Sequence, residues 1–166
     1  MKISIDAIDA FVFDFDGVLT NNLVHLDQEG KEWVSCSRAD GLAFDVLRKL
    51  KKSIFILSSE KNNVVSARAK KLKVEVIQSV DNKLDAIDII TKNGSNSLDR
   101  VLYIGNDLND FNIMNLCGYT ACPCDSHASI KKISQFVLST RGGDGVVREI
   151  VEDIFCLNML EILYPK

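Results

Sequence analysis

A chain of 166 residues, 46% hydrophobic and 26% charged, can bury one proper core as a single domain spanning 1–166. Its net charge of −3 offers no basic surface for nucleic acid, and apolar runs such as residues 54–57 are far too short to cross a bilayer. Five cysteines, an odd number in a chain that needs no staples, suit free thiols; with Asp6 interrupting any apolar leader, they lead us to expect a cytoplasmic protein.

Residues 10–15 are a short β-rich run that ends in acid, at Asp14 and Asp16. Residues 23–26 and 32–36 read as two short strands around Asp27-Gln28-Glu29-Gly30, a hairpin occupying about 21–36. Leu42, Val46, Leu47 and Leu50 then fall on one helical face, with Asp40 as the expected N-cap. A run at 53–57 ends in Ser58-Ser59, a helix is marked by Val64, Val65 and Leu72, and a run at 74–77 ends in Gln78-Ser79. Leu84, Ile87 and Ile90 mark a third helix, opened by Lys83 and expected to be capped by Asp81. The run at 101–104 ends in Gly105-Asn106-Asp107, and Val146, Val147, Ile150, Val151 and Ile154 mark a last helix. Apolar strands alternating with helices predict βαβ crossovers, hence an α/β, three-layer, Rossmann-like parallel sheet carrying one hairpin. In such sheets the ligand site lies at the carboxyl ends of the strands. Here those ends bear Asp14, Asp16, Ser58, Asn106 and Asp107, with Lys83 close behind.

Two carboxylates at i and i+2 where a buried strand ends repel one another unless a cation sits between them. Mg²⁺, keeping waters and accepting a substrate phosphate, resolves that conflict. Asp14 then becomes a nucleophile toward phosphorus, and Asp16 an acid and base for the leaving alcohol and the incoming water. Lys83 and the Ser58 hydroxyl supply charge and hydrogen bonds to phosphate oxygens.

The run Asp14-Phe15-Asp16-Gly17-Val18-Leu19-Thr20, followed in order by Ser58, Lys83 and Gly105-Asn106-Asp107-Leu108-Asn109-Asp110, resembles the haloacid dehalogenase superfamily over nearly the whole chain. The resemblance implies Asp14 as nucleophile, Asp16 as acid/base that also ligates Mg²⁺ through its backbone carbonyl, Ser58 and Lys83 as phosphate ligands, and the last motif as metal support. That motif usually begins Gly-Asp. Asn106 stands there in this chain, a neutral and weaker oxygen ligand, with Asp107 or Asp110 sharing the load or acting through water.

Most members insert a cap domain that chooses the substrate, whereas this chain has only the hairpin. That layout resembles the 3-deoxy-octulosonate 8-phosphate phosphatases and their nonulosonate 9-phosphate relatives, and implies a homotetramer in which a neighbouring subunit covers the site. The similarity extends to Ser37-Arg38-Ala39-Asp40-Gly41 and to Arg141-Gly142-Gly143-Asp144-Gly145, where an arginine before a flexible Gly142-Gly143 suits a carboxylate or phosphate. Ser59-Glu60-Lys61 is similar to the Gly-Glu-Lys of the nonulosonate type. Arg68 and Lys71, on one helical face, match positions that in such relatives face the neighbour's site. The reading is a nine-carbon sugar-acid 9-phosphate phosphatase, with the eight-carbon octulosonate ester as the alternative substrate. Rival classes are a phospho-receiver domain and a non-catalytic oligomerisation module akin to the C-terminal domain of some CMP-sialate synthetases.

Overall fold

Strand β1 (Ala10–Phe13) is buried at every residue, because its two faces meet two different cores. Phe11 and Phe13 point to one side and Ala10 and Val12 to the other, as the two-residue period of a strand requires. In the computed structural model, which describes residues 3–92 and 97–165, the chain next forms a separate antiparallel pair. Its strands are β2 (His25–Leu26) and β3 (Glu32–Trp33). Helix α1 (Ala39–Lys49) leads to β4 (Ser53–Leu57), α2 (Val64–Leu72) and β5 (Glu75–Ile77). A 3-10 turn (Lys83–Ala86) runs into α3 (Ile87–Lys92), followed by β6 (Val101–Ile104) and α4 (Phe111–Met114). Then come β7 (Tyr119–Cys122), α5 (Ala128–Ile133), β8 (Phe136–Val137) and α6 (Val146–Glu149). A π-helical turn (Ile150–Ile154) and α7 (Met159–Leu163) close the described chain.

The six long-range strands form one parallel sheet in the order β5-β4-β1-β6-β7-β8. β1 pairs with β4 on one side and β6 on the other, Ala10 lying opposite both Ser53 and Val101. Strand order therefore reverses at β1, and its carboxyl end opens onto the crevice where α/β sheets bind ligands. Phe44, Leu47, Val147 and Val151 cover the Phe11/Phe13 face, while Ile90, Ile113 and Ile130 cover the Val12 face. This is the expected α/β three-layer arrangement. Only the hairpin separates β1 from α1, and the loop after β4 runs straight into α2.

Three local expectations are corrected. The hairpin strands are two residues each, continued only by an isolated Thr20–Cys36 bridge. Leu23, Val24, Leu26 and Trp33 remain exposed and only Val34 and Cys36 pack against the core, while His25 stacks on Trp33 at 3.9 Å. Asn82, and not Asp81, caps the turn at Lys83, accepting from the Leu84 amide at 3.2 Å. Asp40 lies inside the first turn of α1, where the Ser37 hydroxyl already accepts from the Ala39 amide at 3.2 Å. The Asp40 carboxylate is thereby free to accept from the Val147 amide at 2.9 Å and holds the start of α6.

Burial pushes the Asp40 carboxyl up to about 6, against the Val147 and Arg148 amides that favour its charged form. A raised folded-state value means that its contribution to stability is full below the unfolded value and is lost as pH rises through about 6. Asp40→Asn keeps the acceptor for Val147 without titrating. Going from about pH 4 to about pH 7, the variant should gain about 2–3 kcal/mol relative to the parent. Urea unfolding at both pH values measures this; an unchanged difference would refute it.

Candidate active site

β1 stops at Phe13, and Asp14 follows where the backbone still pairs with β6, its N–H donating to the Ile104 carbonyl at 2.9 Å. Its carboxylate meets Lys83 Nζ at 2.7 Å and accepts from the Phe15 amide at 2.8 Å. The same ammonium meets Asp110 at 2.6 Å. Lys83, Asp14 and Asp110 are only 3%, 4% and 0% exposed, so these contacts are little screened by water. Two carboxylates thus share one cation in a dry site, and the excess negative charge acts on all of them. Burial and the Asp110 charge push the Asp14 carboxyl up, with Lys83 opposing. Burial alone would lower the Lys83 ammonium, but Asp14 and Asp110 outweigh it and hold the value above normal.

Asp110 organises the loop after β6. It accepts from the Tyr103 hydroxyl at 2.8 Å, the Asn106 amide at 2.8 Å and the Asp107 amide at 3.3 Å. Sequence reasoning placed it only as a possible metal helper. The available signal was an acid one 3-10 turn after a strand end, spaced as a capping box with Asp107.

Gly17, at φ 78°, turns the chain just after Asp16. A side chain at Gly17 would collide with the Asn106 amide group. Asp16 is half-buried, with the Thr20 hydroxyl 3.5 Å away. Burial and then the charge of Glu60 raise its carboxyl, Glu32 adding to this and Thr20 and Lys83 opposing. Asp14, Asp16, Ser58, Asn106 and Asp107 line one cleft of about 310 Å³.

The fit of this cleft to Mg²⁺ rests on Asn106. Its side-chain oxygen is buried and has no hydrogen-bond partner. An orphaned buried oxygen beside two carboxylates is the donor chemistry a hard cation takes. Among the described residues no three His, Cys, Asp or Glu side chains could hold a metal by themselves. A cation in the cleft would draw on Asn106, waters and substrate oxygens as well as acids.

The other predicted residues divide. Ser58 is 1% exposed at the cleft and accepts from the Glu60 amide at 3.1 Å. Asp107 is exposed and accepts from the Leu108 amide at 2.7 Å. Glu60 uses one oxygen on the Lys61 and Asn62 amides, at 2.6 and 2.8 Å, and Lys61 is exposed beside it. Arg68 and Lys71 lie instead in a second cleft of about 430 Å³ shared with Arg38, Arg48 and Lys73. There Arg68 donates to the Ser37 carbonyl at 2.7 Å. Arg141 is exposed and 3.4 Å from Asp125.

Gly142 and Gly143 let their loop lie against the turn that carries Asp16. The Gly143 amide donates to the Val18 carbonyl at 3.0 Å, and the Gly142 amide donates to Asp125 at 3.0 Å. Glu149 fixes the start of this strap, accepting from the Ser139 and Thr140 amides at 2.7 Å each; neither Glu149 nor Asp125 was foreseen. A methyl group at Gly142 would strike the Gly17 carbonyl and come within 2.9 Å of the Thr20 carbonyl. Gly142→Ala should therefore cost about 2 kcal/mol and lower kcat about tenfold by displacing the Asp16 turn. Gly30→Ala, in open space at φ 75°, should cost only the backbone strain of about 1 kcal/mol and leave kcat alone. Thermal melts and initial rates test the pair; equal effects would dismiss the strap.

A sequence family described as haloacid dehalogenase-like hydrolase matches residues 42–150. The 3-deoxy-D-manno-octulosonate 8-phosphate phosphatase KdsC of Salmonella typhi is 27% identical over 146 residues, covering 87% of this chain and 78% of the relative. The solved 3-deoxy-D-manno-octulosonate 8-phosphate phosphatase of Moraxella catarrhalis, in complex with magnesium, phosphate and KDO, superposes with a TM-score of 0.84. It is 28% identical, over 94% of this chain and 87% of that one. A Streptomyces avermitilis MA-4680 protein assigned to the HAD family hydrolases reaches 39% identity and a TM-score of 0.88, over 92% and 87% of the two chains. The family match runs from within α1 to the π-helical turn after α6, and the two solved relatives are alike over 92% and 94% of this chain. The chain therefore belongs to the haloacid dehalogenase-like hydrolases.

Proposed function

We propose that the chain is a Mg²⁺-dependent phosphatase that hydrolyses a sugar-acid phosphate through an aspartyl-phosphate on Asp14. The observation that carries this reading is the cleft in which Asp14, Asp16 and the partnerless Asn106 oxygen meet, backed by Lys83. Asp14, Asp16 and Asn106 would hold the cation, with Asp107 on the same wall. When bound, the cation neutralises charge on the phosphate and on the two acids. A carboxylate oxygen of Asp14 bonds to phosphorus as the bond to the sugar oxygen breaks, and Asp16 gives that oxygen its proton. Asp16 then takes a proton from water as the water oxygen attacks phosphorus, releasing phosphate and restoring Asp14. Ser58 and Lys83 hold the phosphate oxygens throughout.

For the substrate we favour a nine-carbon sugar acid 9-phosphate. Glu60 has one carboxylate oxygen uncommitted and adds negative charge beside Asp16. It suits hydroxyl or amide groups of the sugar and repels a substrate carboxylate, which needs a basic partner elsewhere. Arg68 and Lys71, in their basic cleft, offer that partner if a second subunit covers the first. The exposed Leu23, Val24, Leu26 and Trp33 supply an apolar surface for such an assembly, which we take to be a homotetramer. Arg141, with Gly142 and Gly143, stands as a further anion contact. The eight-carbon 8-phosphate is the second reading, favoured by the activity named for the curated relatives. The test is kcat/KM on both sugar-acid phosphates and on p-nitrophenyl phosphate, with Mg²⁺ and with the mass measured in solution. A preference of more than about tenfold for the octulosonate ester would overturn the assignment from Glu60.

A further inference from the structure

Asn62 commits every polar group it has, each to a different part of the chain. Its amide donates to Glu60 Oε1 at 2.8 Å, and its Oδ1 accepts from the Val64 amide at 3.1 Å, at the start of α2. Its carbonyl accepts from Gln78 Nε2 at 2.8 Å, just beyond β5. Its Nδ2 donates to Glu32 Oε2 at 3.0 Å, on β3 of the hairpin. From there the bonds run inward: Glu60 Oε1 also accepts from the Lys61 amide at 2.6 Å, and the Glu60 amide donates to Ser58 Oγ at 3.1 Å. An unbroken series of hydrogen bonds thus links Glu32 on the hairpin to Ser58 at the cleft.

We infer that Asn62 is a positioning residue that latches the hairpin to the loop over 58–62, so that the seat of the hairpin sets where the Glu60 carboxylate points. The inference rests on the proposed reading of Glu60 as a contact to the sugar. Phosphate is held by other groups, Ser58 and Lys83. The latch bears on the Glu60 carboxylate, whereas Ser58 accepts from the Glu60 backbone amide, so the latch acts first on recognition of the sugar part. It gives a hairpin whose strands pair over two residues each a lever on substrate choice.

Asn62→Asp is the probe. It keeps the acceptor for the Val64 amide and both backbone bonds, removes the donor, and sets a second carboxylate against Glu32. Adding Glu32→Gln restores a donor–acceptor pair in the reverse direction. Asn62→Asp should raise KM for sugar-acid phosphates about tenfold with kcat within about twofold, and leave p-nitrophenyl phosphate kinetics unchanged. Hydrogen exchange at the amides of residues 61 and 62 should quicken about tenfold, and the double variant should reverse both effects. Unchanged exchange in Asn62→Asp, or no recovery in the double variant, overturns the latch. Equal losses on both substrate types overturn its role in recognition. If the parent cleaves p-nitrophenyl phosphate but no sugar-acid phosphate, the substrate reading falls; quickened exchange with recovery still supports the latch.

Discussion

Asp14→Asn should lower kcat by at least about 10⁴-fold with Mg²⁺ present, on p-nitrophenyl phosphate and sugar-acid phosphates alike. Asparagine keeps the shape and can still accept from the Phe15 amide, but its neutral oxygen does not form the bond to phosphorus. The fold should not suffer. Asp14 is one of two buried carboxylates around a single ammonium, and Asp110 remains to pair Lys83 in the variant. Removing one of two crowded like charges should hold the melting temperature or raise it by a few degrees, the usual opposition between stability and a charged site. A variant that melts like the parent and retains more than about one per cent of its turnover would place the nucleophile elsewhere.

Asp110→Ala should be the more damaging change to the protein. It strips partners from the buried Lys83 ammonium and Tyr103 hydroxyl, from the buried Asn106 amide and from the part-buried Asp107 amide. Buried groups left unsatisfied make a loss of about 3–5 kcal/mol the expected result in urea unfolding. Activity should fall at least about 100-fold, because the loop bearing Asn106 loses its anchor and Lys83 is drawn wholly to Asp14. Asp110→Asn, which keeps acceptor capacity without charge, should fall between the parent and Asp110→Ala in both measurements. Parent-like stability in Asp110→Ala would mean that the β6 loop is held by something else.

What the sequence disclosed follows from burial. β1, β4 and β6 are apolar on both faces, so a polar residue at their carboxyl ends has no structural excuse, and Asp14, Ser58 and Asn106 could be read from that contrast. β7 and β8 were not seen: Tyr-Thr-Ala-Cys has a weak pattern, and a two-residue strand has none. Asp40, Asp110 and Glu149 were visible as residues, but their partners lie across the fold. A carboxylate near a helix start looks like a cap until tertiary contacts claim it, as the Val147 amide claims Asp40. Arg68 and Lys71 share a face as expected, yet only the packing of α2 against α1 reveals that they line a separate basic cleft.

The shared ammonium also orders events during folding. Lys83 reaches β1 after β5, from one flank of the sheet, while Asp110 arrives after β6, from the other. The lysine cannot shed its water until both flanks have closed on β1, because either acid alone leaves the pocket open. Non-local closures of this kind come late, after helices and local turns have formed. Turnover should therefore be the last property recovered on dilution from urea, lagging far-UV ellipticity, and an activity assay would count native molecules and ignore collapsed ones.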